Sequence, residues 1–250
     1  MIAADLARAL DPAAFAESLG FVPDDWQRQA LRWSGRRAVW LCARQTGKST
    51  CAALLALHRA TYQAGALVLL VSPSLRQSSE LFRKVAGLLD RLDVRPELLE
   101  DNKLSLALTN GSRVLSLPSS EATIRGFSAP DLIVEDEAAR VSDELHAALT
   151  PMQATSPSGQ IILMSTPFGR RGHFFDAWES GEAWARIRVT ADECDRIDRS
   201  FLEQERRGMD AWHYEQEYAC TFQDAQASVF SSDDVQAALV DLPPFMAGWP

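Results

Sequence analysis

No apolar run in this 250-residue chain reaches the roughly 18 residues that a membrane-spanning helix needs. The opening stretch Met1–Leu19 is interrupted by Asp5, Arg8, Asp11 and Glu17, the spacing of an amphipathic helix and not of a secretion signal. Cysteine is scarce. Cys42, Cys51, Cys194 and Cys220 lie far apart without a CxxC pair, as in a chain kept reduced in a cytosol. The histidines, His58, His146, His173 and His213, are equally dispersed along the sequence, so no zinc site is expected. Positive charge is in deficit, with 25 Lys and Arg against 34 Asp and Glu and a net charge of −9. Proteins that coat nucleic acid draw most of their affinity from neutralising phosphates and are usually basic. Broad, static coating is therefore disfavoured, whereas transient contact through a local basic patch is compatible with any net charge. Internal repeats and low-complexity tracts are also lacking. The expectation is a soluble, intracellular globular chain with no membrane partner.

What is present is enough apolar material, 46% of residues, for one large α/β domain or a domain with a small appendage. Helices are expected over Ala3–Leu19 and Asp24–Trp33, punctuated by Gly20 and Pro23. The short run Ala38–Cys42 reads as a buried strand and Ser49–Ala64 as the helix after it. Leu67–Ser72 is a second strand. Leu75–Leu92 has helical spacing, with Leu75, Phe82, Val85, Leu88, Leu89 and Leu92 on one side. Asn110-Gly111 between Leu104–Leu108 and Arg113–Leu117 is a hairpin signal. Leu132–Val134 and Ile161–Met164 are further strands, and Asp143–Leu149 and His173–Trp178 are helical stretches. Strands alternating with helices predict a mostly parallel central sheet covered on both faces. Beyond Thr190 the sequence turns polar, with helices expected over Arg199–Arg207, Ala211–Ala219 and Asp233–Val240. The predicted division is a core over residues 1–190 and a lid or linker subdomain over residues 191–250.

Cys42-Ala43-Arg44-Gln45-Thr46-Gly47-Lys48-Ser49-Thr50 joins a predicted strand to a predicted helix, the context a phosphate-binding loop requires. Gly47 lets the backbone approach phosphate oxygens, Lys48 can neutralise the β- and γ-phosphates, and the Ser49 hydroxyl can ligate Mg2+. The helix that follows directs unpaired N–H groups and its positive dipole end at the same place. Cys42 stands where the usual pattern has its first glycine, so a strict pattern search misses the loop.

Leu132-Ile133-Val134-Glu135-Asp136-Glu137 is an apolar strand ending in carboxylates, which would be costly in a core. In P-loop enzymes such a strand lies beside the phosphate loop; Asp136 can then hold Mg2+ and Glu137 can polarise the attacking water. Glu135 alternates to the other side and reads as structural or surface. A solvated strand end explains the carboxylates alone and a chance Gly-Lys-Ser explains the loop alone, but the pair together points to hydrolysis of ATP or GTP. Ser165 and Thr166, before Pro167, end another buried strand; they can sense the γ-phosphate or merely form a turn. Gln27 has both a donor and an acceptor for an adenine edge, and its neighbour Trp26 can stack nearby or fill the core. Arg44, Arg125 and Arg140 are the arginines nearest these motifs; an inserted guanidinium stabilises developing phosphoryl charge, and spacing alone does not choose among them.

The runs "ARQTGKST", "IRGFSAPDLIVEDEAA", "ILMSTPFG" and "YEQEYACTFQDAQASVF" resemble the large terminase subunit of tailed bacteriophages, over roughly positions 20–235. The resemblance implies a RecA-like ASCE P-loop fold with a small lid subdomain, and an ATP-driven motor that moves double-stranded DNA into a procapsid. It assigns Gln27 to adenine, Gly47, Lys48 and Ser49 to phosphate and Mg2+, and Asp136 and Glu137 to metal binding and catalysis. Ser165-Thr166-Pro167 matches the motif coupling hydrolysis to movement. Arg44 matches the phosphate-loop arginine, and Arg125 the arginine finger offered to a neighbouring subunit, in preference to Arg140. The implied partners are the portal protein, the small terminase subunit and further copies in a ring, in the host bacterial cytoplasm at the procapsid portal. Relatives usually carry a second, nuclease domain; Phe245–Trp249 resembles its first strand, so no nuclease activity is expected of this chain. Two other readings stay open: a helicase-like ATPase stimulated by nucleic acid, and a non-catalytic nucleotide-binding scaffold. Glu137 argues against the scaffold, since a pure binder needs no base there.

Overall fold

Four strands are apolar along nearly their whole length, and this sets the architecture, because only a sheet covered on both faces can hide such runs. The computed structural model describes residues 2–118, 126–156, 158–179 and 183–224. The strands are β1 (Arg37–Cys42), β2 (Leu67–Ser72), β3 (Leu98–Asp101), β4 (Ser105–Leu108), β5 (Arg113–Pro118), β6 (Leu132–Asp136), β7 (Gln160–Ser165) and β8 (Ala185–Val189). They form one sheet in the order β3-β4-β5-β2-β6-β7-β1-β8. Pairing is parallel from β5 through β8 and antiparallel for β3 with β4 and β4 with β5. The fold is α/β with a mixed, mostly parallel sheet.

Alternation along the strands supplies both cores. Trp40, Val68, Leu70, Val134, Ile162 and Met164 face one cluster, while Val39, Leu69, Ile133, Ile161 and Leu163 face the other. The first face is covered by α2 (Pro12–Ser18), α3 (Asp25–Arg32), α4 (Lys48–Tyr62) and α5 (Leu75–Leu89), through Phe15, Leu31, Leu54 and Leu81. The second is covered by α6 (Asp143–Leu149), α7 (Gly172–Glu179), α8 (Arg199–Gly208) and α9 (Ala211–Glu217), through Leu145, Phe174, Leu202 and Tyr214. The stretch after Thr190 thus shares the core of the sheet up to residue 224, while Asp233–Val240 and Phe245–Trp249 lie outside the described residues. Among the described residues no helix is long and apolar enough to cross a membrane.

The structure corrects the element boundaries in three places. The expected helix over Ala3–Leu19 is two helices, α1 (Ile2–Leu10) and α2. Asp11 accepts a hydrogen bond from the Ala13 amide and Pro12 opens α2; proline has no N–H to continue the first helix and suits the first turn of the second. β3 is unpredicted because its Glu100 and Asp101 are exposed and polar. β8 is unpredicted because arginines alternate with its inward Ile187 and Val189, the pattern of an edge strand. The Asn110-Gly111 hairpin is present, with β4 and β5 antiparallel and Gly111 at φ +85°.

Candidate active site

The strand order places β7 between β6 and β1, so the acidic strand does not pair with the strand that leads into the loop. The parallel strands end on one side of the sheet, where crevices outside strand ends hold ligands in open α/β folds. There a cleft of about 550 Å3 is lined by Arg44, Gln45, Gly47, Lys48, Ser49, Thr50, Gln77, Lys84, Glu137, Arg140 and Thr166. Residues from four separate segments, three of them marked in the sequence, therefore face one space.

The loop between β1 and α4 is held from behind. Gln45 and Gly47 have φ of +62° and +92°, and the Thr46 hydroxyl donates to the Ala43 carbonyl at 2.9 Å. The Thr46 carbonyl accepts from Gln27 Nε2 at 3.3 Å and from Arg196 Nη2 at 2.7 Å. In a trans peptide the C=O and the next N–H point in opposite directions, so these two donors turn the Gly47 amide away from themselves. At the start of α4, the first-turn N–H groups have no intrahelical acceptor and are available to an anion.

Gln27 is fully buried, and its Oε1 accepts from the Asp24 amide at 2.9 Å. Both ends of its amide are engaged, and it does not line the cleft. Trp26 packs edge-on against Trp40, centroids 6.4 Å apart, on the margin of the first core cluster. Arg125 lies outside the described residues.

Opposite the loop, Glu137 is the centre of an ion network. Lys48 Nζ lies 3.1 Å from its Oε1 and Arg140 Nη1 3.1 Å from its Oε2, while the Ser165 hydroxyl donates to Oε2 at 3.4 Å. Glu137 sits in the left-handed region at φ +53°, ψ +42°, which costs a non-glycine residue about 1–3 kcal/mol. The contacts around it hold it there. Arg140 also reaches the Thr166 hydroxyl at 3.3 Å. Burial holds the Asp136 carboxyl up at about 6, with Lys48 pulling it down and Glu137 pushing it up. Burial would lower the Lys48 ammonium, but Glu137 and Asp136 outweigh it and raise the group. Ser165, Thr166 and Pro167 are all buried at the end of β7.

A family model described as "Terminase large subunit, T4likevirus-type, N-terminal" matches residues 39–237. The chain belongs to the large terminase subunit family. The large terminase subunit of Thermus phage G20c is 25% identical over 188 residues, which is 67% of this chain and 39% of that protein. The chain thus spans less than half the length of that curated relative. Among solved structures, the large terminase ATPase domain of Thermus phage P74-26 superposes with a TM-score of 0.73 at 20% identity, over 84% of this chain and 97% of that one. The large terminase of another thermophilic bacteriophage, solved in complex with ADP, gives a TM-score of 0.62 at 13% identity, over 82% of this chain and 52% of that one. At these identities the structural likenesses establish the shared fold.

In this terminase fold, several cleft residues had no role assigned from sequence. Glu217, in the "YEQEYAC" run of α9, accepts from Arg44 Nε at 2.6 Å and from Arg140 Nη2 at 3.4 Å. It thereby links the loop arginine to the arginine on Glu137. Arg196 pairs with Asp24 at 2.5 Å while holding Thr46, and Gln77 and Lys84 reach the cleft from α5. Two of the four histidines dispersed in sequence come together in space: His146 and His173 meet at Glu135. Glu135 does point away from Lys48, but it is fully buried and not on the surface.

The loop geometry gives a first prediction. A Cβ on Gly47 would lie 2.7 Å from Gln27 Nε2 and 3.3 Å from Arg196 Nη2, on a backbone at φ +92°. Gly47→Ala is expected to lose about 1–3 kcal/mol of folding stability, read from urea unfolding. A loss under roughly 0.5 kcal/mol, the range of neutral surface changes, would show that the loop is not held as described.

Proposed function

We propose that this chain is the ATP-hydrolysing motor part of a large terminase, driving double-stranded viral DNA into a procapsid. The observation that carries the reading is the convergence of Lys48, Glu137, Arg140 and the loop on one cleft, in a chain of this family. The ADP complex of the thermophilic bacteriophage's large terminase supports a nucleotide in that cleft.

Lys48 and the first-turn amides of α4 bind the β- and γ-phosphates. The Ser49 hydroxyl and the Asp136 carboxylate are hard oxygen donors suited to Mg2+, and a buried carboxylate held up at about 6 gains most from a cation beside it. When bound, Mg2+ supplies neutralising charge to the phosphates. Glu137 is the general base. In the geometry described its two oxygens are occupied by Lys48 and Arg140, so a γ-phosphate competes for Lys48 and frees one oxygen for water. Arg140, braced by Glu217 and Thr166, holds the other oxygen. Ser165 and Thr166, which contact Glu137 and Arg140, sense the change and, with Pro167, pass it to α7. Gln27 acts here by holding Thr46; adenine recognition would require it to release one of its two bonds. Arg44, Gln45 and Thr50 line the same cleft and contact the nucleotide there.

The proposed assembly is a ring at the procapsid portal in the host cytoplasm, with portal protein and small terminase subunit as partners and Arg125 reaching the neighbouring copy. Turnover per chain is expected to rise with protein concentration, and Arg125→Ala to remove that rise. Flat specific activity with an unaffected Arg125→Ala would reject the trans arginine, and no turnover of ATP at any concentration would reject the motor.

A further inference from the structure

Behind the acidic strand lies a cluster that the proposed hydrolysis does not use. Glu135 has the same parity on β6 as Ile133, so it faces the second core. Its carboxylate is fully buried there, between the first turns of α6 and α7. His146 Nδ1 lies 2.8 Å from Oε1 and His173 Nε2 lies 3.2 Å from Oε2. The two imidazoles are stacked, 4.2 Å apart and 8° from parallel. Both therefore present a ring nitrogen to the same carboxylate.

The partners of each ring constrain where its protons sit. Asp143 Oδ1 accepts from the His173 amide at 2.8 Å and lies 3.0 Å from His173 Nδ1. An ionised carboxylate only accepts, so Nδ1 carries the hydrogen. In the neutral ring, Nε2 then directs a lone pair at Glu135 Oε2, and these two buried atoms make no hydrogen bond. With His146 neutral, a proton on His173 answers both Glu135 and Asp143, which together outweigh burial and hold that imidazole above its ordinary range, whereas a proton on both rings would stack two cations face to face. A divalent ion shared by the three side chains would take the place of that proton at the same buried atoms.

We propose that Glu135, His146 and His173 form a binding site for an imidazole-preferring divalent transition-metal ion, with Zn2+ the representative. The ligand atoms lie within 4.8 Å of one another. A tetrahedral ion with bonds of about 2.0–2.2 Å brings its ligands to roughly 3.4 Å apart, so the widest separation closes by up to roughly 1.4 Å. His173 is oriented by Asp143 on its other nitrogen, the carboxylate–histidine–metal arrangement that fixes tautomer and ring plane. Two nitrogens and a carboxylate favour Zn2+, Co2+ or Ni2+ over Mg2+, which takes oxygen ligands. The ion would tie the end of β6 to α6 and α7. The inference stands apart from the nucleotide reading and does not depend on it.

The test uses the full chain, stripped with a chelator and titrated with ZnCl2 in excess Mg2+, with CoCl2 as a spectroscopic probe. One Zn2+ per chain is expected, with a higher melting temperature and a visible Co2+ spectrum of low coordination number. His146→Asn and His173→Asn should each weaken binding at least roughly 10–100-fold, the scale already seen for second-shell changes, and lose the Co2+ spectrum. His213→Asn and Asp136→Asn should keep both. Absence of stoichiometric Zn2+ or of the Co2+ spectrum in the unmodified chain overturns the site whatever the variants do. So does binding that is lost in Asp136→Asn or His213→Asn and kept in the His146 and His173 variants.

Discussion

Glu137→Gln should lower ATP turnover by about 10²–10⁴-fold, the range that a positioned general base contributes, with nucleotide affinity changed by no more than a few-fold. Glutamine keeps the length and one oxygen of the side chain, so the bonds from Arg140 and Ser165 to that position can persist. It tolerates the left-handed backbone at φ +53° no worse than glutamate does. What it loses is the charge that draws Lys48 and the basicity that takes a proton from water. Since Lys48 would no longer be paired with a carboxylate there, it should be freer to meet phosphate. Single-turnover hydrolysis and equilibrium nucleotide binding on one preparation separate the two effects. Normal turnover in Glu137→Gln would remove Glu137 as the base.

Lys48→Ala should act on the other half, weakening ATP binding by roughly 10- to 150-fold, the equivalent of the 1.5–3 kcal/mol that hydrogen bonds to charged groups contribute. The lysine is buried at 8% exposure, and its ammonium serves two carboxylates, Glu137 by contact and Asp136 through the field. Its removal leaves Glu137 to Arg140 and Ser165, both on its other oxygen, and takes from Asp136 the largest influence that lowers it. A stability loss of about 1–3 kcal/mol is expected from the carboxylate oxygen left unpaired. The two losses have different signatures. Denaturant unfolding without nucleotide reports the second, and nucleotide titration of the folded variant reports the first. An affinity equal to that of the unmodified chain would place the phosphates elsewhere.

The residues gathered at the cleft were legible where their pattern is local. The loop sits between a strand and a helix adjacent in sequence, and the carboxylates directly follow the apolar run Leu132–Val134, so period and punctuation reveal both. The sheet was readable for the same reason: β2, β6 and β7 are buried on both faces and show it as continuous apolar runs. What stayed hidden depends on contacts across the chain. Glu217 reaches Arg44 from 173 positions away, and Arg196 reaches Thr46 from 150. Neither carries a local mark, because an acid or a base in a polar helical region looks like solvated surface until the fold turns it inward. The pairing of His146 with His173 was hidden likewise. Their meeting follows from the strand parity of Glu135 together with the packing of α6 and α7, and only the parity can be read in the sequence.

The account turns on the cleft holding a triphosphate whose arrival transfers Lys48 from Glu137. The most direct measurement is a structure of the chain with Mg2+ and a non-hydrolysable ATP analogue. It should show the phosphates against Gly47, Lys48 and Ser49, the ammonium on phosphate oxygens, and Glu137 still held by Arg140 with one oxygen turned to water. A nucleotide bound outside this cleft, with the 3.1 Å contact between Lys48 and Glu137 intact, would contradict it.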